Sequence, residues 1–302
     1  MKMLSHYTNR QGLEGILKTE TIWATHFLDL NDSSEYFYAW DALACRAAEY
    51  FYSRIPEEMR PEEGERRDVV DKMKALVRAT FASTQDSTGN LYVTSFARAR
   101  NEDQERRGIL TLWDRYTKFE GYCLQFPRDY IERMLQFEMM KGNYISASLI
   151  DVVYGIDENS VEFKTISDQL GEFWLLQAER RIDDGKIRLG DENSWAPSYL
   201  FRKIMEFCAR HKDPCFEDER EVRLFFYPAE KADVRIFTGI AGVKKVQKAP
   251  SGKRFIEIGE FWRPGIIPNR IIIGPRADDC LTNLLSGFWL PPTVEKSNLP
   301  VV

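Results

Sequence analysis

Histidine is scarce in this chain, with three residues, His6, His26 and His211, among 302. The sequence also lacks a G-x-S-x-G elbow, a Walker-type phosphate loop and an H-E-x-x-H pair, so serine hydrolase, P-loop and zinc-protease chemistry lose their usual carriers. Cysteine adds little. The five residues Cys45, Cys123, Cys208, Cys215 and Cys280 are odd in number and contain no C-x-x-C pair, which argues against a disulfide framework or a zinc knuckle and for reduced thiols. No metal is expected. No run approaches the roughly 18 apolar residues of a spanning helix, and the opening MKMLSHYTNR carries no apolar core of a secretion signal. The expectation is a cytoplasmic protein without a membrane partner. A net charge of -5 leaves no global field to attract nucleic acid, so any such contact needs a local basic patch.

What the chain has is apolar and aromatic content. At 43% hydrophobic and 13% aromatic it can bury a sizeable core, and with no repeat and no low-complexity linker it reads as one domain over 1-302. Strand patterns fall at Met3 to Tyr7, Thr21 to Thr25, Leu91 to Phe96, Gly121 to Phe126, Ser146 to Tyr154, Asp233 to Phe237, Val243 to Lys248, Arg254 to Ile258 and Arg270 to Ile273. Helical patterns fall at Arg10 to Lys18, Glu35 to Ser53, Arg67 to Ser83, Arg128 to Met139, Ser160 to Arg181 and Ala196 to Lys212. Asn31, Asp32 and Glu35 read as turn and cap residues. The class is α+β, a β-rich core with helical insertions at about 35-88 and 159-212.

Three local patterns carry candidate chemistry. In Pro214 to Tyr227, PCFEDEREVRLFFY, charged and apolar residues alternate from Glu219, and a period of two puts Glu219, Glu221 and Arg223 on one strand face. That face is either solvated or a site in which one carboxylate opposes developing positive charge while the other orients a substrate. His6 ends the first strand and is followed by Tyr7 and Thr8, where a strand opens into a loop; it is either a satisfied structural histidine or a ligand contact. Trp113 and Tyr116 sit three apart, on one helical face if the segment is an α-helix. Arg98, Arg100, Arg106 and Arg107, with Lys244, Lys245 and Lys248, make either a local nucleic-acid surface or ordinary solvated loops.

The order of motifs resembles a known bacterial family. Ser-His-Tyr-Thr (5 to 8), Gly-Leu-Glu-Gly-Ile-Leu (12 to 17), Ile-Trp-Ala-Thr (22 to 25), Leu-Asn-Asp-Ser-Ser-Glu (30 to 35), Thr-Ser-Phe (94 to 96), Leu-Trp-Asp-Arg-Tyr (112 to 116), Gly-Tyr-Cys-Leu-Gln-Phe (121 to 126), Phe216 with Glu219 to Arg223, and Ile-Ile-Ile-Gly-Pro (271 to 275) look like the domain-of-unknown-function 2971 family. That family is itself similar to the ADP-ribosyltransferase superfamily. The resemblance implies a split β-sheet core and NAD as substrate, with a nucleic acid (RNA or DNA) or a protein as acceptor. A role as a toxin or antiphage effector, with an antitoxin protein as partner, goes with it. Carried over residue by residue, His6 would bind a ribose hydroxyl with Tyr7 and Thr8 beside it. Ser95 or Phe96 would support the nicotinamide, with Trp113 or Tyr116 stacking on it. Glu221 would hold the 2′-hydroxyl and stabilise the oxocarbenium-like cation, and Glu219 would orient the acceptor. The tyrosine spacing of the His-Tyr-Glu transferases is absent, and Thr94-Ser95-Phe96 only partly echoes the Ser-Thr-Ser motif of the arginine-glutamate class. NAD hydrolysis, or nucleotide binding without turnover, are the alternatives.

Overall fold

The computed structural model describes residues 2-30, 34-57, 67-68, 70-71, 74-75, 91-179, 182-183, 186-187, 198-229, 242-260, 262, 265-278, 281-286, 288 and 290-300. Asn31, Asp32, Cys280, the strand expected at 233-237 and most of the helix expected over 67-83 lie outside these residues, as does the side chain of Glu35. The chain divides into two compact units, one made of Met1–Asp29, Leu91–Val152 and Cys215–Val302, the other of Leu30–Asn90 and Val153–Pro214. The two stretches read from sequence as helical insertions fall in the second unit.

A ten-stranded sheet organises the first unit. Its strands are β1 (Met3–Thr8), β2 (Ile22–His26), β3 (Tyr92–Ala97), β4 (Tyr122–Pro127), β5 (Tyr144–Asp151), β6 (Glu221–Pro228), β7 (Gln247–Lys248), β8 (Arg254–Ile258), β9 (Arg270–Ile273) and β10 (Thr293–Lys296). They run β7-β8-β2-β3-β1-β4-β9-β10, with β6 beside β3 and β5 beside β6. Helices and sheet together make the unit α+β. Alternation places Ile22 and Ala24, Leu124 and Phe126, Val222, Leu224 and Phe226, Ile256 and Ile258, and Ile271 and Ile273 on one face, the core face. The helix Arg10–Thr19 closes part of it with Leu13, Ile16 and Leu17. Asn9 starts that helix by accepting a hydrogen bond from the Gly12 amide at 2.8 Å. The helix Arg128–Met140 adds Ile131, Met134 and Leu135.

The second face of the sheet is covered around β1, β4 and β9 by residues 102-117. The short helix Glu102–Arg107 ends there, and sheet side chains take up its last carbonyls. Gln125 Nε2 donates to Glu105 O at 2.7 Å and Arg270 Nη2 to Arg106 O at 3.2 Å, while Trp113 Nε1 donates to Arg107 O at 2.9 Å. The sequence EDQERR has no apolar stripe to hold a helix. Its helix is instead held by capping from neighbours.

In the second unit, the helix Ser34–Arg54 packs Trp40, Leu43, Ala47 and Phe51 with buried residues of Val161–Glu179 and Ser198–Arg210, among them Phe163, Leu170, Trp174, Ile204 and Phe207. Gly171 permits the close approach, since a Cβ there would lie 2.7 Å from the Ala47 carbonyl oxygen. His211 follows the last helix, stacked on Phe207 with ring centroids 3.9 Å apart and bonded through Nδ1 to the Phe207 carbonyl at 2.8 Å.

A notch in the sheet beside a buried acidic pair

The two edges of β3 are unequal. One is paired with β6 along its whole length, from Tyr92↔Phe226 to Ala97↔Glu221. The other is shared end to end by two strands: β2 meets it at His26↔Tyr92 and Thr25↔Val93, and β1 meets it at the single pair Ser5↔Ala97. Between them Thr94, Ser95 and Phe96 have no registered strand partner on that edge, so the sheet has a notch. Side chains serve the backbone there. His6 Nδ1 lies 3.0 Å from Ser95 O, and Thr94 Oγ1 donates to Trp23 O at 2.8 Å. The notch falls on the Thr-Ser-Phe stretch singled out from sequence.

The candidate residues separate onto two faces. His6 pairs with Leu124 across β1 and β4 and faces the core, its ring 5.8 Å from that of Phe96. Phe96 is fully buried and packs on Phe126, so it belongs to the core and offers no surface for a nicotinamide ring. Thr8 lies on the same face as His6, its hydroxyl against Gly12, where any side chain would collide with it. Tyr7, Ser95 and Glu221 project from the opposite face, because Ser5, Ala97 and Glu221 are in register and successive side chains alternate. Strand register therefore brings His6 to the Ser95 backbone and not to the Glu221 carboxylate, so the residues that the resemblance assigns to one substrate do not share a face of the sheet.

The acidic face is buried, which corrects the solvated reading. Glu221 and Arg223 are 5% and 3% exposed, and they form a bidentate pair, Nε to Oε1 and Nη2 to Oε2, each at 2.8 Å. Glu219 is not on the strand. A 3₁₀ helix, Pro214–Glu219, precedes it, and Arg220 takes a left-handed φ of 46° before β6 begins at Glu221. The side chain of Glu219 is buried and pairs with Arg115, whose guanidinium also lies 4.9 Å from the Phe216 ring centroid. Segment 98-117 holds this acidic turn at two further points: Arg98 N donates to Arg220 O at 3.0 Å, and Arg100 Nη2 to Asp218 Oδ1 at 2.6 Å.

The aromatic pair is also corrected. Residues Trp113–Thr117 form a π-helical turn, whose wider spacing turns the two rings apart. Trp113 is wholly buried and meets Tyr7 edge-on at 5.0 Å, while Tyr116 is 44% exposed. The Tyr7 hydroxyl accepts from Ile109 N at 2.6 Å, and burial pushes its pKa well above the ordinary value. Burial also raises the Cys123 thiol to about 12, so it is no nucleophile at neutral pH. Burial lowers the pKa of His6 despite its bond to Ser95 O, so the ring is neutral at pH 7. Among the described residues no group of His, Cys, Asp and Glu could hold a metal ion, and no helix is long and apolar enough to cross a membrane.

The basic residues, read from sequence as either a local surface or solvated loops, are interleaved with acids. Arg98 pairs with Asp151, Arg100 with Asp218, Arg106 and Arg107 with Asp103, and Lys244 with Glu260. Lys245 and Lys248 remain exposed, with no ion pair among the described residues. Sequence reading assigned no role to Trp23 or Arg115, and Arg223 was placed on the acidic face without one. The available signals were an indole between the inward Ile22 and Ala24, and a guanidinium two residues beyond a strand carboxylate.

Fold and site together define an α+β protein whose central sheet is notched beside a buried acid-arginine cluster. The model of the family described as protein of unknown function (DUF2971) matches residues 112–224 of the chain. The matched span includes Arg115, Glu219, Glu221 and Arg223, whereas His6 and the notch residues Thr94 to Phe96 lie outside it. No curated protein and no solved structure matches the chain.

Proposed function

We propose that the chain is an NAD-dependent ADP-ribosyltransferase working at the notch, with a nucleic acid or a protein as acceptor and a toxin or antiphage role. The observation that carries this reading is the interrupted edge of β3, which is joined to β1 through one residue pair and sets His6 on one side of the gap and Ser95 on the other. Such an opening suits the split core of that superfamily. Glu221 lies one strand further on, in register with Ala97. Because His6 and Glu221 leave the sheet on opposite faces, a dinucleotide reaches both only by entering the notch. Cleavage of the ribose-nicotinamide bond develops positive charge at the anomeric carbon, and a preorganised carboxylate stabilises it. The Arg223 clamp fixes the plane of the Glu221 carboxylate through two hydrogen bonds.

The same clamp favours a second reading, a nucleotide-binding module without turnover, since Arg223 offsets the charge that an oxocarbenium ion would need. Incubation with NAD, with nicotinamide and ADP-ribosyl products assayed side by side, separates the two. In the transferase reading Glu221→Gln keeps NAD binding and lowers nicotinamide release by about 10²–10³. Glu219→Gln spares hydrolysis but suppresses transfer. Binding of NAD without nicotinamide release by the wild-type chain would select the binding module.

A further inference from the structure

Two irregular turns of backbone meet at the start of β6. One is the π-helical turn Trp113–Thr117, and the other is the 3₁₀ helix Pro214–Glu219 with the left-handed Arg220 behind it. Both π-turns and left-handed residues other than glycine are uncommon conformations that collect at functional sites. Here one ion pair, Arg115 with Glu219, joins them. The pair is lopsided, since the Glu219 side chain is 5% exposed and that of Arg115 46%. The π-turn explains the outward guanidinium: Trp113 and Thr117 are buried and tied to each other, Thr117 Oγ1 donating to Trp113 O at 2.8 Å, which leaves Asp114, Arg115 and Tyr116 outside.

The guanidinium gives Nη1 to Glu219 and lies 4.9 Å from the Phe216 ring centroid, and its other donors meet no hydrogen-bond partner among the described residues. One edge and one face are thus fixed while the rest of the planar fork is open to solvent, so it can bind an oxygen with little further loss of freedom. A carboxylate that orients an acceptor has to touch it, and Glu219 is buried under its partner. A molecule approaching this turn meets the guanidinium first. We propose that Arg115 is the residue that contacts the acceptor of the ADP-ribosyl group, and that Glu219 is a positioning residue that holds Arg115 in place. This rests on the transferase reading, and it moves the contact that the resemblance gives to Glu219 onto the other member of its ion pair. The chemistry of recognition changes with it. A guanidinium has donors only, so the group it meets is an oxygen with free lone pairs, whereas an open carboxylate would select a cationic amine or guanidine.

The experiment incubates each chain with adenine-labelled NAD and a dialysed cell lysate as the source of acceptors, with lysate alone as blank, and measures macromolecule-bound label against free ADP-ribose. Arg115→Met is expected to lower the bound-to-free ratio about tenfold or more, the loss of a hydrogen bond from a charged donor. Glu219→Gln should lower it less. Adding Glu219→Gln to Arg115→Met should change nothing further, because a positioning residue acts only through the one it positions. That double variant leaves no buried charge unpaired, so it reports the ratio even if Arg115→Met alone does not fold. Arg115→Lys keeps a cation beside Glu219 but loses the fork, and should recover only part of the ratio. A pair with a merely structural role would lower release and transfer together and leave the ratio unmoved. An unmoved ratio in Arg115→Met, or a further loss of about tenfold on adding Glu219→Gln, overturns the proposal. Labelling of agmatine, a guanidinium compound, by the wild-type chain does so too. Nicotinamide release keeps the two failures apart. Wild-type release and bound label with an unmoved ratio in the variants remove the role of Arg115 alone, whereas no release by the wild-type chain removes the transferase reading and this role with it.

Discussion

Glu221 and Arg223 show how one residue pair reads differently from sequence and in the fold. The period of two placed them on one face, and they share it, but alternation says nothing about what covers a face. Both side chains are buried, so taking one ion out of the bidentate pair costs its partner two charge-assisted hydrogen bonds away from water. Arg223→Met should therefore lower unfolding stability by about 3–5 kcal/mol, with much of the loss recovered in the double variant Glu221→Gln/Arg223→Met. Urea titrations of the three variants measure this, and an Arg223→Met midpoint equal to wild type would contradict the burial. Glu219 was assigned to the same strand because nothing in the letters Glu-Arg-Glu reports that Arg220 turns left-handed. Tyr116 and Trp113 were paired on one face for a similar reason. A single π-turn resets helical spacing, and its presence depends on packing that no short sequence pattern records.

At the level of elements, nearly every strand of the sheet is legible as an alternating apolar run. β10 is the exception: in Thr293–Lys296 the lone Val294 gives no pattern, and its pairing with β9 defines the strand. The notch is not legible either, because it is an absence of pairing between strands that are each regular. It makes a specific claim about His6, whose ring serves a backbone carbonyl and not the Ser95 side chain. His6→Ala should lower stability by about 1–3 kcal/mol by leaving that carbonyl unserved, while Ser95→Ala, which keeps it, should stay close to wild type. Equal losses in thermal melts of the two variants would point to the hydroxyl instead. Gly108 makes another such claim. Its φ of 82° suits glycine, and a Cβ would run into the Trp113 ring. Gly108→Ala should cost about 1–3 kcal/mol and change the near-ultraviolet dichroism of the indole, and an unchanged spectrum would count against that packing.

The whole molecule holds two compact units, each assembled from separate stretches of the chain, which is why composition alone reads as one domain. Each unit contains a histidine whose pKa burial lowers from the ordinary 6.5, His6 in the first and His211 in the second. The unfolded chain binds those protons more readily than the folded one. Stability from this source is thus fully present above pH 6.5 and is lost as pH falls through that value towards the lowered folded pKa values. Melting temperatures should drop between pH 7 and 5, and His6→Gln should flatten part of that slope; a profile flat or rising on acidification would refute the burial. The notch also gives the sheet a mechanical grain. β1 is laced to β4 along all six of its residues but to β3 by one pair. Pulled in an optical trap across the strands, the first unit should part at Ser5 and Ala97 at low force, opening along a seam that runs through the candidate site.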